Sequence, residues 1–140
     1  MDTAKNISTL YRKMNMNVNA KLAPMGLSSA KAMFLFCIYD HKQMSQVEIC
    51  RDLDMDKSTV AKMLARLEKD GFIIKKVHPD DVRAFQITLT DKAVALVPRA
   101  REIQNEWLNE VTRFLSDLEK QNFFELMERV AATADTNLRN

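Results

Sequence analysis

The stretch DMDKSTVAKMLARLEKDGFIIKK, residues 54–76, decides the fold. Within it Val60, Leu64 and Leu67 recur at steps of four and three residues, a spacing that predicts an amphipathic helix with one buried face. Asp56 precedes this pattern as a candidate N-cap, and Gly71 follows it as the residue whose left-handed backbone ends the helix. The next segment, FIIKKV, has the composition of a short β-strand.

The opposite side of this helix is polar and basic. It carries Ser58, Lys62, Ala65 and Lys69, with Thr59 and Arg66 on a flank. Residues 57–76 hold six basic and two acidic residues, a net charge of +4, whereas residues 84–140 hold seven basic and nine acidic residues. A local basic face is the electrostatic footprint of a polyanion partner, although charge alone fits a solvated surface helix equally well.

The rest of the chain predicts mainly helix, because it has only two glycines and three prolines. Apolar spacing predicts a helix over 3–22, and Ser28 is a candidate cap for the apolar helix SAKAMFLFCIYD. Capping boxes at 45–48 and 116–119 open a short helix and the last helix. A second strand, AFQITL, precedes a long helix from Thr90 to about Leu115. The order predicts a helix-turn-helix followed by a β-hairpin wing, a mainly α fold with a small β-hairpin.

The length and composition of the chain limit the class of protein to which it can belong. A chain of 140 residues is long enough for one domain with a core, and 46% hydrophobic with 29% charged residues is typical of a globular protein. No apolar run approaches the ~20 residues of a membrane span, so no membrane partner is expected. The first residues lack the apolar segment of a secretory signal, and two cysteines do not form a disulfide framework, so we expect a cytoplasmic protein.

Two motifs then carry a resemblance. The helix pattern S-T-V-x-[RK]-x-[LV]-x-x-L-E is matched by Ser58, Thr59, Val60, Lys62, Leu64, Leu67 and Glu68. The hairpin segment HPDDVRAFQITLT, residues 78–90, matches a proline followed by D-x-R, five residues and L-T, at Pro79, Asp81, Arg83, Leu89 and Thr90. Together they resemble the recognition helix and wing of the MarR family of bacterial transcription regulators, and the element order agrees over essentially the whole chain.

The resemblance implies a homodimer that binds DNA through a winged helix-turn-helix. It divides a single domain, 1–140, into a DNA-binding part at 28–89 and dimerisation helices at 1–24 and 90–140. The residues expected to contact DNA are Ser45, Gln46, Lys57, Ser58, Thr59, Lys62, Arg66, Lys75 and Arg83. The apolar residues expected at the dimer interface are Ile7, Leu10, Met14, Val18, Phe123, Met127, Val130 and Leu138.

The wing has an arginine whose role the resemblance also suggests. Arg83 is expected to enter the minor groove of DNA, where a guanidinium reads groove shape more than base identity. Asp81 is expected to orient Arg83, and Asp80 to be a solvated turn residue. A simple surface ion pair is the alternative for the pair Asp81 and Arg83.

Three positions depart from the family pattern. Val82 stands where a second arginine is common, which lowers the charge of the wing. Lys62 stands where arginine is frequent, and lysine cannot read guanine in the bidentate manner of arginine. Ala93 replaces a frequent glycine at small expected cost in a helix.

The predicted function is a sequence-specific DNA-binding repressor that acts as a homodimer on a pseudo-palindromic operator. The resemblance implies release by a small aromatic or phenolic effector, for which no binding residue is assigned. The alternative is a winged-helix module that docks an acidic protein partner. No catalytic motif is present, so no enzyme and no cofactor are expected.

Two cysteines and two histidines are the remaining candidates for metal binding or redox chemistry. Cys37 and Cys50 lie in apolar helical segments and are expected to be buried, inert thiols. His41 and His78 are interpreted as isolated histidines with no carboxylate or cysteine at ligand spacing, so no metal site is expected.

Overall fold

The computed structural model describes residues 1–77, 80 and 85–135. Its helices and strands, in chain order, are α1 (Thr3–Leu22), a 3-10 turn (Ala23–Met25), α2 (Ser29–His41), β1 (Gln43–Met44), α3 (Gln46–Leu53), α4 (Lys57–Lys69), β2 (Ile73–Val77), β3 (Phe85–Leu89), α5 (Asp91–Val111) and α6 (Asp117–Ala134). The sequence-based prediction of a mainly α fold with a small β-hairpin is confirmed.

Side-chain caps fix where the helices begin, at the positions that the sequence predicts. Ser28, Ser45, Asp56, Thr90 and Ser116 each accept a hydrogen bond from the backbone N–H three residues on. Such caps satisfy N–H groups that the first helical turn leaves without partners, each contributing ~1 kcal/mol. Both predicted capping boxes are complete, because the N3 glutamate also accepts from the cap residue's own N–H.

The end of α4 is also set by the sequence. Gly71 has φ +80°, a left-handed conformation that strains residues with a side chain. Its N–H and that of Phe72 donate to Glu68 and Leu67 carbonyls, which closes the last turn and directs the chain into β2. The turn therefore holds α4 and the hairpin in a fixed relation.

The sheet has three antiparallel strands in the order β1-β3-β2. In the hairpin, Ile73 pairs with Leu89 and Val77 with Phe85, so β2 and β3 are in register over their full length. Strand β1 was missed by sequence reasoning because two residues, Gln43 and Met44, carry no periodicity; they pair with β3 at Thr88 and Ile87.

One core joins all parts of the domain except α6. It includes Leu22 from α1, Phe34 and Ile38 from α2, and Ile87 and Val97 from β3 and α5, each at most 1% exposed. At ~1.5–3 kcal/mol per large apolar side chain, this burial dominates the stability of the domain. Helix α6 contains no buried residue in its described range.

One helix end differs from the prediction. Helix α5 ends at Val111 rather than near Leu115, because Thr112 leaves the helical conformation as the C-cap. Helix α6 ends at Ala134, and Leu138, which was expected on its apolar stripe, lies outside the described residues.

Within the described residues, no single helix is long and apolar enough to cross a membrane, and the one helix pair that meets the length and composition test, Thr3–Met25 with Ser29–His41, is bent by 71°.

Candidate nucleic-acid interface

Helix α4 has the two-sided character that the sequence predicts. Val60, Leu64 and Leu67 are fully buried, at 0% exposure, and fix the helix on the core. Its outward residues are exposed: Lys57, Ser58, Thr59, Lys62, Ala65, Arg66, Glu68 and Lys69. The helix therefore presents small and basic side chains to solvent on a rigid support, as close approach to a DNA groove requires.

The N-terminus of α4 is tightly ordered by Asp56. Its Oδ1 accepts the Thr59 N–H at 2.7 Å and the Ser58 hydroxyl at 3.0 Å. The backbone hydrogen bond from Thr59 is the main cause that lowers the pKa of the Asp56 carboxyl. The cap thus fixes the first turn of α4, which carries Ser58 and Thr59, two of the residues that the sequence predicts at DNA.

The basic side chains on α4 differ from Lys75 in their pairing. Among residues 1–77, 80 and 85–135, Lys57, Lys62 and Arg66 form no ion pair, so their charges are not neutralised by a described carboxylate. Lys75 on β2 is half-buried, with its Nζ 4.0 Å from Glu68 Oε1. Lys75 is therefore less available to a phosphate than the three residues on α4.

The two α3 residues expected at DNA have structural roles as well. Ser45 is the N-cap of α3, and its Oγ accepts the Glu48 N–H at 3.2 Å. Gln46 donates its side-chain amide to the Lys57 carbonyl at 3.4 Å, which ties the start of α3 to the start of α4. Both side chains are half-buried, so they border the α4 face rather than project from it.

The hairpin extends beyond the core. At its described outer end Val77 and Phe85 face each other across the strands and are 57% and 47% exposed. Arg83 and Asp81, the predicted minor-groove residue and its orienting partner, lie outside the described residues, so their roles stay predictions.

The outer helices carry the apolar residues that were expected at the dimer interface. Ile7 and Leu10 on α1 are 63% and 41% exposed, and Met127 and Val130 on α6 are 44% and 68% exposed. Further exposed apolar residues, not singled out from the sequence, are Tyr11, Val111, Phe114, Leu115, Leu118 and Leu126. Phe114 and Leu115 lie in the turn between α5 and α6, and only the fold shows which of these six residues its own core leaves uncovered.

One member of the predicted dimer set is wrong. Val18 is 1% exposed and packs in the core of its own chain with Leu22, so it cannot contribute to an exposed stripe. The apolar residues in the C-terminal half of α1, Val18 and Leu22, face the core of their own chain. The apolar spacing of the helix could not distinguish this arrangement from one continuous exposed stripe. Met14 and Phe123 are half-buried.

The interpretation of His41 as isolated is also wrong. Cys37 lies one helical turn before His41 on α2, and Asp52 approaches both from α3, so that one ligand atom from each lies within 4.8 Å of the others. The buried Cys37 thiol donates to Asp52 Oδ2 at 2.9 Å. Burial, and next the bond to Asp52, raise the pKa of the Cys37 thiol far above its ordinary value, which favours the protonated thiol when no cation is bound to the sulfur. Cys50 is half-buried.

Comparisons with known proteins agree with this geometry. Residues 27–85 match the model of the MarR family. The helix-turn-helix transcriptional regulator BilQ of Clostridioides difficile is 28% identical over 113 residues, covering 81% of this chain and 76% of the relative. A MarR protein structure from Peptoclostridium difficile superimposes with TM-score 0.89 at 26% identity, covering 96% of this chain and 88% of that one.

A further structure concerns a DNA complex. A mutant MarR from E. coli complexed with operator DNA superimposes with TM-score 0.81 over 91% of each chain, at 23% identity, which by itself shows the shared fold. The family match over residues 27–85, the relatives and the winged helix agree with one another: this chain is similar over most of its length to helix-turn-helix transcriptional regulators of the MarR family.

Proposed function

We propose that the chain represses transcription as a homodimer bound to a pseudo-palindromic operator, with α4 of each protomer in the major groove of one half-site. The observation that carries this proposal is the outward face of α4. It combines Lys57, Lys62 and Arg66, unpaired among the described residues, with small side chains on a helix whose other side is fully buried. Unneutralised cations on a rigid helix attract phosphates, while small residues permit close approach to base edges.

The second protomer accounts for the outer helices. The exposed apolar residues of α1 and α6 leave much of their surface in water, so pairing with a second copy would remove that surface from water. A dimer with two-fold symmetry would place two α4 helices toward half-sites about one helical turn, ~10 base pairs, apart.

The wing would complete each half-site. Arg83, in the segment between β2 and β3, would enter the minor groove, and Asp81 would fix its direction. A dimer bound to a promoter would block transcription by its presence alone, without contacting another protein. The chain would act in the cytoplasm. A small aromatic or phenolic effector that releases the dimer remains part of the proposal, without assigned residues.

The test is selection of bound duplexes from a random pool, followed by anisotropy titration of the selected duplex at several salt concentrations. We expect an enriched two-fold symmetric sequence and an affinity that falls steeply with salt, by ~0.9 logarithmic units per phosphate contact and tenfold change in salt. A reporter promoter containing the selected sequence should be silenced by the chain. Equal binding to all duplexes would contradict sequence specificity.

The alternative is a module whose basic face docks an acidic protein. It is less well supported, because the small hydroxyl residues at the start of α4 suit a groove better than a protein surface. Absence of binding to any duplex at low salt would favour this alternative.

A further inference from the structure

A cluster of three different ligand types lies away from the α4 face. Cys37 and His41 occupy successive turns of α2, and Asp52 lies in the last turn of α3. One ligand atom from each residue lies within 4.8 Å of the others, and the side chains of His41 and Asp52 reach solvent. Ions could therefore enter from outside, while the sulfur lies on the protected side.

From this geometry we infer that Cys37, His41 and Asp52 form a binding site for a divalent metal ion of the Zn²⁺ class. Thiolate, imidazole and carboxylate are the three ligand types that Zn²⁺ takes in proteins. Three protein ligands leave the fourth position of a tetrahedral ion for water or another donor. The residues come from two helices, so the ion would cross-link the end of α2 to α3.

The arrangement of each ligand suits this role. The Cys37 Sγ and Asp52 Oδ2 already lie 2.9 Å apart, bridged by the thiol proton. On binding, a bond forms between sulfur and the metal, and that proton leaves to solvent, so the cation takes the proton's place between sulfur and oxygen. The Nδ1 of His41 lies 2.8 Å from the Cys37 carbonyl oxygen, so in the tautomer that carries its proton on Nδ1 this oxygen accepts it, and Nε2 has the free lone pair.

The competing explanation is a hydrogen bond that only fastens two helices. A buried thiol needs no such partner, because cysteine packs as a small apolar residue. Met44 Sδ, 3.4 Å from the Cys37 Sγ, provides that apolar environment on one side. A hydrogen bond between Cys37 and Asp52 that only joined the two helices would not require a histidine beside the same thiol and carboxylate.

The test uses Co²⁺ alone as the probe, added to chelator-treated full-length protein without DNA. We expect saturation at one ion per chain, with the visible bands of tetrahedral cobalt and a thiolate-to-cobalt charge-transfer band in the near ultraviolet. Added Zn²⁺ should abolish both by displacing Co²⁺. Because DNA is absent, the result is independent of the proposed function.

Variants decide the ligands. Cys37→Ser should abolish the charge-transfer band, and His41→Gln and Asp52→Asn should each weaken Co²⁺ binding at least tenfold. The last two alter exposed side chains, so they keep the test valid if the buried Cys37→Ser variant fails to fold. Cys50→Ser, which removes the other thiol, is the matched control and should bind as the wild type does. The inference would be overturned if the wild type showed no charge-transfer band, or if the band were retained in Cys37→Ser or lost in Cys50→Ser. It would also be overturned if the Co²⁺ affinity were unchanged in both His41→Gln and Asp52→Asn.

Discussion

Helices α4 and α6 have similar amphipathic sequences and different surroundings. In α4 the apolar residues Val60, Leu64 and Leu67 are 0% exposed, because the helix packs against α3 and β2 as part of the core. In α6 the apolar residues Leu126 and Val130 are 53% and 68% exposed, and no described residue of the helix is buried.

The difference shows what apolar periodicity reports. It indicates that one side of a helix is to be removed from water, but it does not say whether the same chain or another one covers that side. For α4 the answer is the same chain, which makes the helix a rigid support for the proposed DNA contacts. For α6 the proposed answer is a second copy.

The largest expected effect is a difference in stability between matched leucine substitutions in α4 and α6. Leu64→Ala should lower the free energy of unfolding by ~2–5 kcal/mol, because it leaves a cavity in a fully packed core. Leu126→Ala, the matched change on α6, should cost less than ~0.5 kcal/mol in dissociated protein. Denaturant unfolding at several protein concentrations measures both.

The loss of stability caused by Leu126→Ala should also depend on protein concentration. It should grow as the concentration rises and dimers form, whereas the loss caused by Leu64→Ala should be present at every concentration. Equal, concentration-independent costs at the two positions would show that α6 is not covered by a second copy.

The next effect concerns assembly. Val130→Asp should give a monomer and weaken operator binding together, because it places a charge in the proposed apolar interface. Sedimentation at micromolar concentration and DNA titration measure the two losses. Ala132→Asp, an exposed change on the opposite side of α6, is the control and should leave both unchanged. A wild-type chain that sediments as a monomer would remove the basis of this prediction.

The sequence predicts those elements that depend on local signals. Caps and capping boxes at Ser28, Ser45, Asp56 and Ser116 are visible as residue types at fixed spacing, and all four are present. The inner and outer sides of α4 follow from its period for the same reason.

Long-range packing is what the sequence could not supply. Strand β1 exists only because β3 pairs with it. Val18 continues the apolar period of α1 but packs in the core of its own chain. The approach of Asp52 to Cys37 joins residues 15 apart in sequence, and no local spacing predicts it.

A third prediction tests the outward side of α4. Lys62→Ala should weaken operator binding by ~1–3 kcal/mol per half-site and relax the preference at one base pair, if Lys62 reads a base edge. If it contacts only phosphate, affinity should fall equally for all sequences and the salt dependence should decrease by about one ion per half-site. Lys13→Ala, an exposed lysine on α1, is the control. Binding unchanged by Lys62→Ala for every duplex would mean that α4 is not the recognition helix.

A fourth prediction concerns the wing, whose tip residues rest on sequence alone. Arg83→Ala should weaken operator binding without changing fold or dimer, and Arg83→Lys should restore part of the loss, since guanidinium suits a narrow groove better than ammonium. Asp81→Ala should cause a smaller loss, because it removes orientation and leaves the charge. A simple Coulombic argument gives the opposite sign, so tighter binding by Asp81→Ala in anisotropy at fixed salt would reject the orienting role.

The smallest expected effect lies in the cap of α4. The hydrogen bond from the Thr59 N–H lowers the pKa of Asp56 in the folded protein below its value in the unfolded chain, ~3.9. A carboxylate with a lowered folded pKa stabilises the fold fully above the unfolded pKa, and this contribution is lost as the pH falls through the folded value. Asp56→Asn keeps a cap oxygen but cannot titrate, so the stability of this variant should fall less steeply on acidification than that of the wild type.

Glu119→Gln, at the start of α6, removes a carboxyl whose pKa is also lowered, in this case by the Ser116 N–H. This variant should likewise lose less stability than the wild type as the pH falls. If α6 is stabilised mainly by a second copy, the flattening from Glu119→Gln should appear in the pH dependence of dimerisation, and that from Asp56→Asn in the unfolding of dissociated protein. Parallel pH profiles of the wild type and Asp56→Asn in denaturant unfolding would show that the Asp56 carboxylate contributes no pH-dependent stability.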